Sequence, residues 1–165
     1  MFGEAGVEAV KKEMQQLHDR GIMKKKEAKE LTRAQKKEAL AYLMFLKRQH
    51  GGKIKGRGCA DGRKQRAYTA KEDAASPTIA NEAMFLMAVI EAMEGRKVAV
   101  LDVLGAFMQV DMEELIHVRF TGKMVELLLE IDKDMYGPCV TTEGRQQVMY
   151  VELLKTLYGT LWAAL

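Results

Sequence analysis

Lys97-Val98-Ala99-Val100-Leu101-Asp102-Val103-Leu104-Gly105-Ala106-Phe107 is the stretch on which the reading of this chain turns. A short apolar run ends on one carboxylate, and a glycine and an aromatic follow. Val98, Val100 and Leu101 are side chains that suit a buried strand. An Asp at the end of such a strand is costly to bury unless it has a partner or a metal ion. Two readings stay open on the residues alone. Asp102 either caps the next turn, or it is held at a strand tip to ligate Mg²⁺.

Working outward, 165 residues suffice for one globular domain with a real core. Apolar side chains make up 48% and charged ones 30%, which excludes wholesale disorder. Cys59 and Cys139 lie far apart without ligand-like spacing, so two free thiols in a reducing compartment are expected rather than a disulfide framework or zinc site. No basic-then-apolar leader opens the chain, and no apolar run reaches membrane-spanning length. The expectation is a soluble, intracellular protein, cytoplasmic or nuclear. The charge is uneven: residues 1–71 carry 19 Lys or Arg against 8 acids, residues 72–165 carry 7 against 15. That split fits a basic nucleic-acid face beside a carboxylate site, or merely a solvated lysine-rich helix.

Upstream, Val7, Val10, Met14 and Leu17 recur at helical spacing and predict a helix over 4–20, stopped at Gly21. Thr32 to Gln35 has the form of a capping box, predicting a helix that runs to about Arg48. Lys53 to Arg66 is the most basic, glycine-rich tract, read either as an exposed basic loop or hairpin or as a phosphate grip through Lys55 and Arg57. Cys59 within it is expected to be buried rather than reactive. Tyr68 to Pro77 reads as a loop, and Asn81 as the cap of a buried helix over 82–93.

Downstream of the central stretch, Asp111 to Glu114 reads as an acidic turn. Residues 116–120 alternate like a strand and 123–130 suit a helix. Thr142 to Arg145 predicts a hairpin turn. A last helix is expected from Leu153. The three histidines are scattered and form no metal triad. Trp162-Ala163-Ala164-Leu165 is an abrupt apolar end, and a truncated reading frame is the expectation it raises.

These residues carry a family likeness. In order along the chain, Lys55-Gly56-Arg57 through Gly62 to Gln65 resembles the Lys-x-Arg-Leu-Val-Ala-Lys/Arg-Gly-Phe-Thr-Gln strand of copia-type retrotransposon reverse transcriptases. Ala75-Ser76-Pro77-Thr78 is similar to their Phe-Ser-Pro-Val segment. Leu101 to Met108 is similar to Leu-Asp-Val-Lys-Thr-Ala-Phe-Leu. His117-Val118-Arg119 resembles Val-Tyr-Met, and Leu157-Tyr158-Gly159 resembles the start of Leu-Tyr-Gly-Leu-Lys-Gln-Ala-Pro.

The resemblance implies an α+β fold, the fingers and partial palm of a reverse-transcriptase-like polymerase, with mixed helices and a small, mainly antiparallel sheet. Residues 1–52 would lead into the fingers, 53–96 would form a basic fingers hairpin and helix, and 97–165 a partial palm. Asp102 would be the catalytic carboxylate and, with the Val103 carbonyl, would hold Mg²⁺. Lys55 and Arg57 would reach the triphosphate of a dNTP. Phe107 would gate its sugar, and Lys53, Arg63, Lys64 and Arg66 would contact nucleic acid. The implied partners are a template–primer and dNTP, with no membrane, and self-association through an open sheet edge. Gly105 stands where the family commonly has Thr, and Leu161-Trp162-Ala163-Ala164 replaces Lys-Gln-Ala-Pro. The paired aspartates of Tyr-x-Asp-Asp do not occur, so the chain alone is expected to be inactive. A non-catalytic nucleic-acid-binding remnant, or a small structural domain, are the alternatives.

Overall fold

The computed structural model describes residues 2–65, 79–101, 103 and 105–161. The expectations placed on Asp102, Arg66, Tyr68 to Pro77, Ala75 to Thr78 and Trp162 to Leu165 lie outside the described residues.

Helix α1, Gly3–Asp19, buries Val10, Met14 and Leu17 at the spacing the sequence predicted, and Gly21 follows it at φ +59°. Val7, expected on the same face, is exposed. Strand β1, Met23–Lys26, comes next. The capping box at Thr32 is real: the Gln35 N–H donates to the Thr32 hydroxyl, and the Thr32 N–H donates to Gln35 Oε1. The helix it starts, α2, is only Arg33–Glu38.

The expected continuation to Arg48 is instead strand β2, Leu40–Arg48. An almost continuous apolar run does not separate helix from strand by periodicity. Here tertiary pairing decides, since β2 is flanked on both sides. It runs antiparallel to β3, Ile54–Ala60, and parallel to β4, His117–Thr121, at Leu40↔Val118 and Ala41↔Arg119. Gly51 and Gly52, both at positive φ, turn the β2–β3 hairpin.

Helix α3 spans Asn81–Met93, close to the predicted bounds. It is not the buried helix expected: no residue in it is buried, and Phe85 is 72% exposed. The strand expected at 97–102 is likewise absent from its described part. Residues 97–101 have no ladder partner, and Val100 and Leu101 are 92% and 88% exposed.

Helices α4, Lys123–Ile131, and α5, Lys133–Tyr136, lead to the hairpin of β5, Val140–Glu143, and β6, Gln146–Leu153. Its turn falls where Thr142 to Arg145 predicted it. No helix starts at Leu153, because β6 runs through that residue and its N–H donates to the Ile116 carbonyl.

The result is a mixed α and β architecture around a mostly antiparallel six-stranded sheet in the order β1-β6-β4-β2-β3, with β5 also beside β6. The sheet takes strands from all three of the stretches 1–52, 53–96 and 97–165. Val118, Phe120, Met149, Val151 and Leu153 pack with α1 and α4 in the main core. Val148 and Tyr150 alternate to the opposite face and meet Leu31 and Ala39. Edge strands β1 and β3 present Lys24, Lys25 and Lys26, and Lys55 and Arg57. Among the described residues no helix is long and apolar enough to cross a membrane.

Candidate functional site

The repeat Lys55-Gly56-Arg57-Gly58 builds the site. Alternate residues of a strand face opposite sides of a sheet. The glycine side lies against α1: a Cβ on Gly56 would sit 2.8 Å from the Ala9 carbonyl oxygen, and the Gly58 N–H donates to Glu13 Oε1 at 2.9 Å. Gly58 also makes room for the Tyr42 side chain, whose hydroxyl would collide with a Cβ there. With both glycines pressed under the helix, Lys55 and Arg57 point outward and are exposed.

Arg57 does not stand alone. Its guanidinium carbon lies 5.0 Å from the centroid of the Tyr158 ring, within cation–π range. The Phe107 ring meets the same tyrosine edge-on, 5.1 Å between centroids and 71° between planes. Backbone contacts lock the arrangement. The Ala60 N–H donates to the Tyr158 carbonyl at 2.7 Å, and the Thr156 hydroxyl donates to the Phe107 carbonyl. Phe107 rides on a 3₁₀ turn, Ala106–Gln109, that starts from Gly105 at φ +62°. A Cβ on Gly105 would lie 2.4 Å from an Arg20 guanidinium nitrogen, and that guanidinium donates to the Gly105 carbonyl. Glycine at this position has this physical reason.

The other expected site residues separate into groups. Val103 is exposed. Lys53 is exposed at the start of β3 and makes no polar side-chain contact with a described residue. Arg63 is paired with Asp61, bidentate at 2.8 and 2.5 Å, and holds that carboxyl below its ordinary range. The Lys64 ammonium donates to the Lys37 and Ala39 carbonyls, tying the chain to the end of α2. Arg63, still largely exposed, and Lys64 thus each carry intramolecular contacts that Lys53 lacks. Asp102 and Arg66 are not among the described residues.

Cys59 is half-buried, not buried as expected, and burial pushes its thiol up despite the nearby Arg57. It is therefore a protonated thiol near neutrality. Asp111 is exposed and pairs with Lys155 at 3.5 Å, while Glu113 and Glu114 are exposed. Among the described residues no group of three His, Cys, Asp or Glu could hold a metal ion.

Tyr158, the hub, was legible only as one residue of a family-like triplet. The tract was expected as an exposed basic loop or hairpin; the glycine–cation alternation of β3 is the signal from which its outward-facing Lys55 and Arg57 could have been read.

No family model, no curated protein and no solved structure matches this chain.

Proposed function

We propose that the chain carries the nucleotide-gripping part of an RNA-directed DNA polymerase of the copia retrotransposon type, fingers with part of a palm. The observation that supports this is a convergence. Three stretches that resemble the family, around Lys55 and Arg57, around Phe107, and around Tyr158, meet in space although they are far apart in the chain. In this reading Lys55 and Arg57 grip the triphosphate of a dNTP, because the planar guanidinium fork matches phosphate oxygens. Phe107 lies against the sugar and disfavours a 2′-hydroxyl. Asp102 and the Val103 carbonyl would hold Mg²⁺, which supplies charge stabilisation to phosphoryl transfer when bound.

Equilibrium dialysis with dNTP and the matching ribonucleotide tests it. Arg57→Ala should weaken dNTP binding by about tenfold or more. Phe107→Ala should erase any preference for the deoxy sugar. Equal binding of both nucleotides to the unaltered protein, or indifference to Arg57→Ala, overturns the assignment. In primer extension with Mg²⁺, any signal must vanish in Asp102→Asn.

The second reading is a nucleic-acid-binding module without catalysis. The exposure of Val100 and Leu101 favours it, because the strand expected to carry Asp102 into a core is not built from residues 97–101. Binding to primer–template without extension is its signature.

A further inference from the structure

We infer that the outer face of the β2–β3 hairpin is a binding platform for single-stranded nucleic acid, with Phe45 as a base-stacking ring. Phe45, Lys47, Lys55 and Arg57 share this face, since the register pairs Phe45 with Arg57 and Lys47 with Lys55. They line a depression of about 1010 Å³, to which Arg48 and His50 also contribute and no carboxylate does. The residues behind the face explain why it is kept open. Tyr42, Met44 and Leu46, paired with Ala60, Gly58 and Gly56, turn toward α1 and take up the apolar work of the hairpin.

Phe45 has no part in that packing and is 56% exposed. The side chains of Lys47, Arg48 and Lys55 make no ion pair with a described residue, in contrast to Arg63. Arg57 stands opposite Phe45 in the strand register and over the ring of Tyr158, in the segment bonded to Ala60. A row of aromatic, cation and aromatic therefore crosses β3.

The chemistry selects the ligand. Four cations without a carboxylate fit a polyanion, and a flat ring among them fits an unstacked base, which a duplex does not offer. The alternating arrangement tracks a phosphate backbone while the ring takes the base, without a demand for one sequence. This face shares Lys55 and Arg57 with the proposed nucleotide corner and rests on the nucleic-acid-binding reading of the chain. Phe45 and Lys47 belong to the platform alone, and binding is read without nucleotide or Mg²⁺, so failure of the platform is distinguishable from failure of the nucleotide site.

The test is fluorescence anisotropy of the full chain with labelled oligo(dT) or oligo(U) of about 12 nucleotides, and with a duplex of equal length. The single strands should bind more tightly than the duplex. Log affinity should fall with log salt at a slope of about −2 to −3, as three or four neutralised phosphates require. Phe45→Ala should weaken single-strand binding about tenfold and leave the slope unchanged, whereas Phe45→Tyr should retain binding. Lys47→Ala and Lys55→Ala should each reduce the slope by about 0.7. An unchanged unfolding midpoint in Phe45→Ala confirms that the fold is intact. Equal or tighter duplex binding, indifference to Phe45→Ala, or displacement of the strand by polyglutamate as effectively as by unlabelled oligonucleotide overturns the inference.

Discussion

Gly159 passes so close to Ala60 that a Cβ on it would sit 2.1 Å from the Ala60 carbonyl oxygen, and its φ is +87°. The contact joins the end of β3 to the segment that carries Tyr158. Both the close approach and the left-handed backbone demand glycine. Gly159→Ala should cost about 2–3 kcal/mol in urea unfolding. It should also separate Arg57 from Tyr158, so nucleotide binding should fall with it. A variant as stable as the parent would show that this junction is not fixed as described.

Tyr42 is a buried side chain whose hydroxyl has no hydrogen-bond partner among the described residues. Burial, with Glu13 nearby, pushes that hydroxyl far above its ordinary range. Its ring stacks at 4.4 Å on Phe120, so the ring itself is core. Tyr42→Phe removes only the unsatisfied oxygen and should stabilise the protein by about 1 kcal/mol. Tyr42→Ala, in contrast, should cost about 3 kcal/mol or more. The two unfolding midpoints should move in opposite directions.

Burial on β4 holds the His117 imidazole below its ordinary value of 6.5, with Glu152 opposing and Lys26 adding to the effect. The unfolded chain takes up this proton more readily than the folded one. Stability from this group is therefore intact above pH 6.5 and is lost as pH falls below it. The lowered carboxyls of Glu143 and Asp61 act in the same direction, but only below 4.5 and 3.8. Urea midpoints should decline between about pH 7 and pH 5, and His117→Gln should flatten that decline.

Helix α3 exposes Met84, Phe85, Leu86, Met87, Val89 and Met93. Contiguous apolar surface of this kind captures hydrophobic dyes in the native state. Phe85→Glu with Met93→Glu should reduce the fluorescence of bound anilinonaphthalene sulfonate and leave the unfolding midpoint within about 0.5 kcal/mol, because neither side chain is buried. A large loss of stability would mean that the helix is packed.

Any self-association through a sheet edge should depend on salt. Edges β1 and β3 carry Lys24, Lys25, Lys55 and Arg57, besides Lys26, which pairs with Glu152, and these cations repel a second copy's edge of the same kind. The mass from light scattering should stay near 18.6 kDa at low salt and rise as screening increases. The reverse trend would point to an oppositely charged contact.

Legibility followed the strength of local signals. Val10, Met14 and Leu17 disclosed α1 because one face carries the whole pattern. The Thr32–Gln35 box disclosed a helix start but held nothing about where the helix stops, and Leu40 to Leu46 is apolar enough for either state. What makes it β2 is β3 on one side and β4 on the other; β3 follows within a hairpin, but β4 lies about seventy residues away, outside any local window. Val98 to Leu101 misled for the opposite reason: a strand-like composition forms no ladder without neighbours. Of the site, the basic character and exposure of the tract around Lys55 and Arg57 were readable, but not its alternation as a strand. Their meeting with Tyr158 and Phe107 was not, since ring contacts between distant segments leave no local trace.

Strand β6 ties β1, β5 and β4 together, yet it ends only at Leu153. During synthesis, β1 leaves the ribosome long before β6, the strand it pairs with, whereas β2 meets β3 at once in a hairpin. Lys24 to Lys26 must wait as an unpaired ribbon, kept apart from other nascent chains by their own charge. Completion of the sheet is therefore a late, long-range event paced by arrival of the β5–β6 hairpin, and a stop codon before Gln146 would leave β1 without its ladder partner while the β2–β3 hairpin could still form.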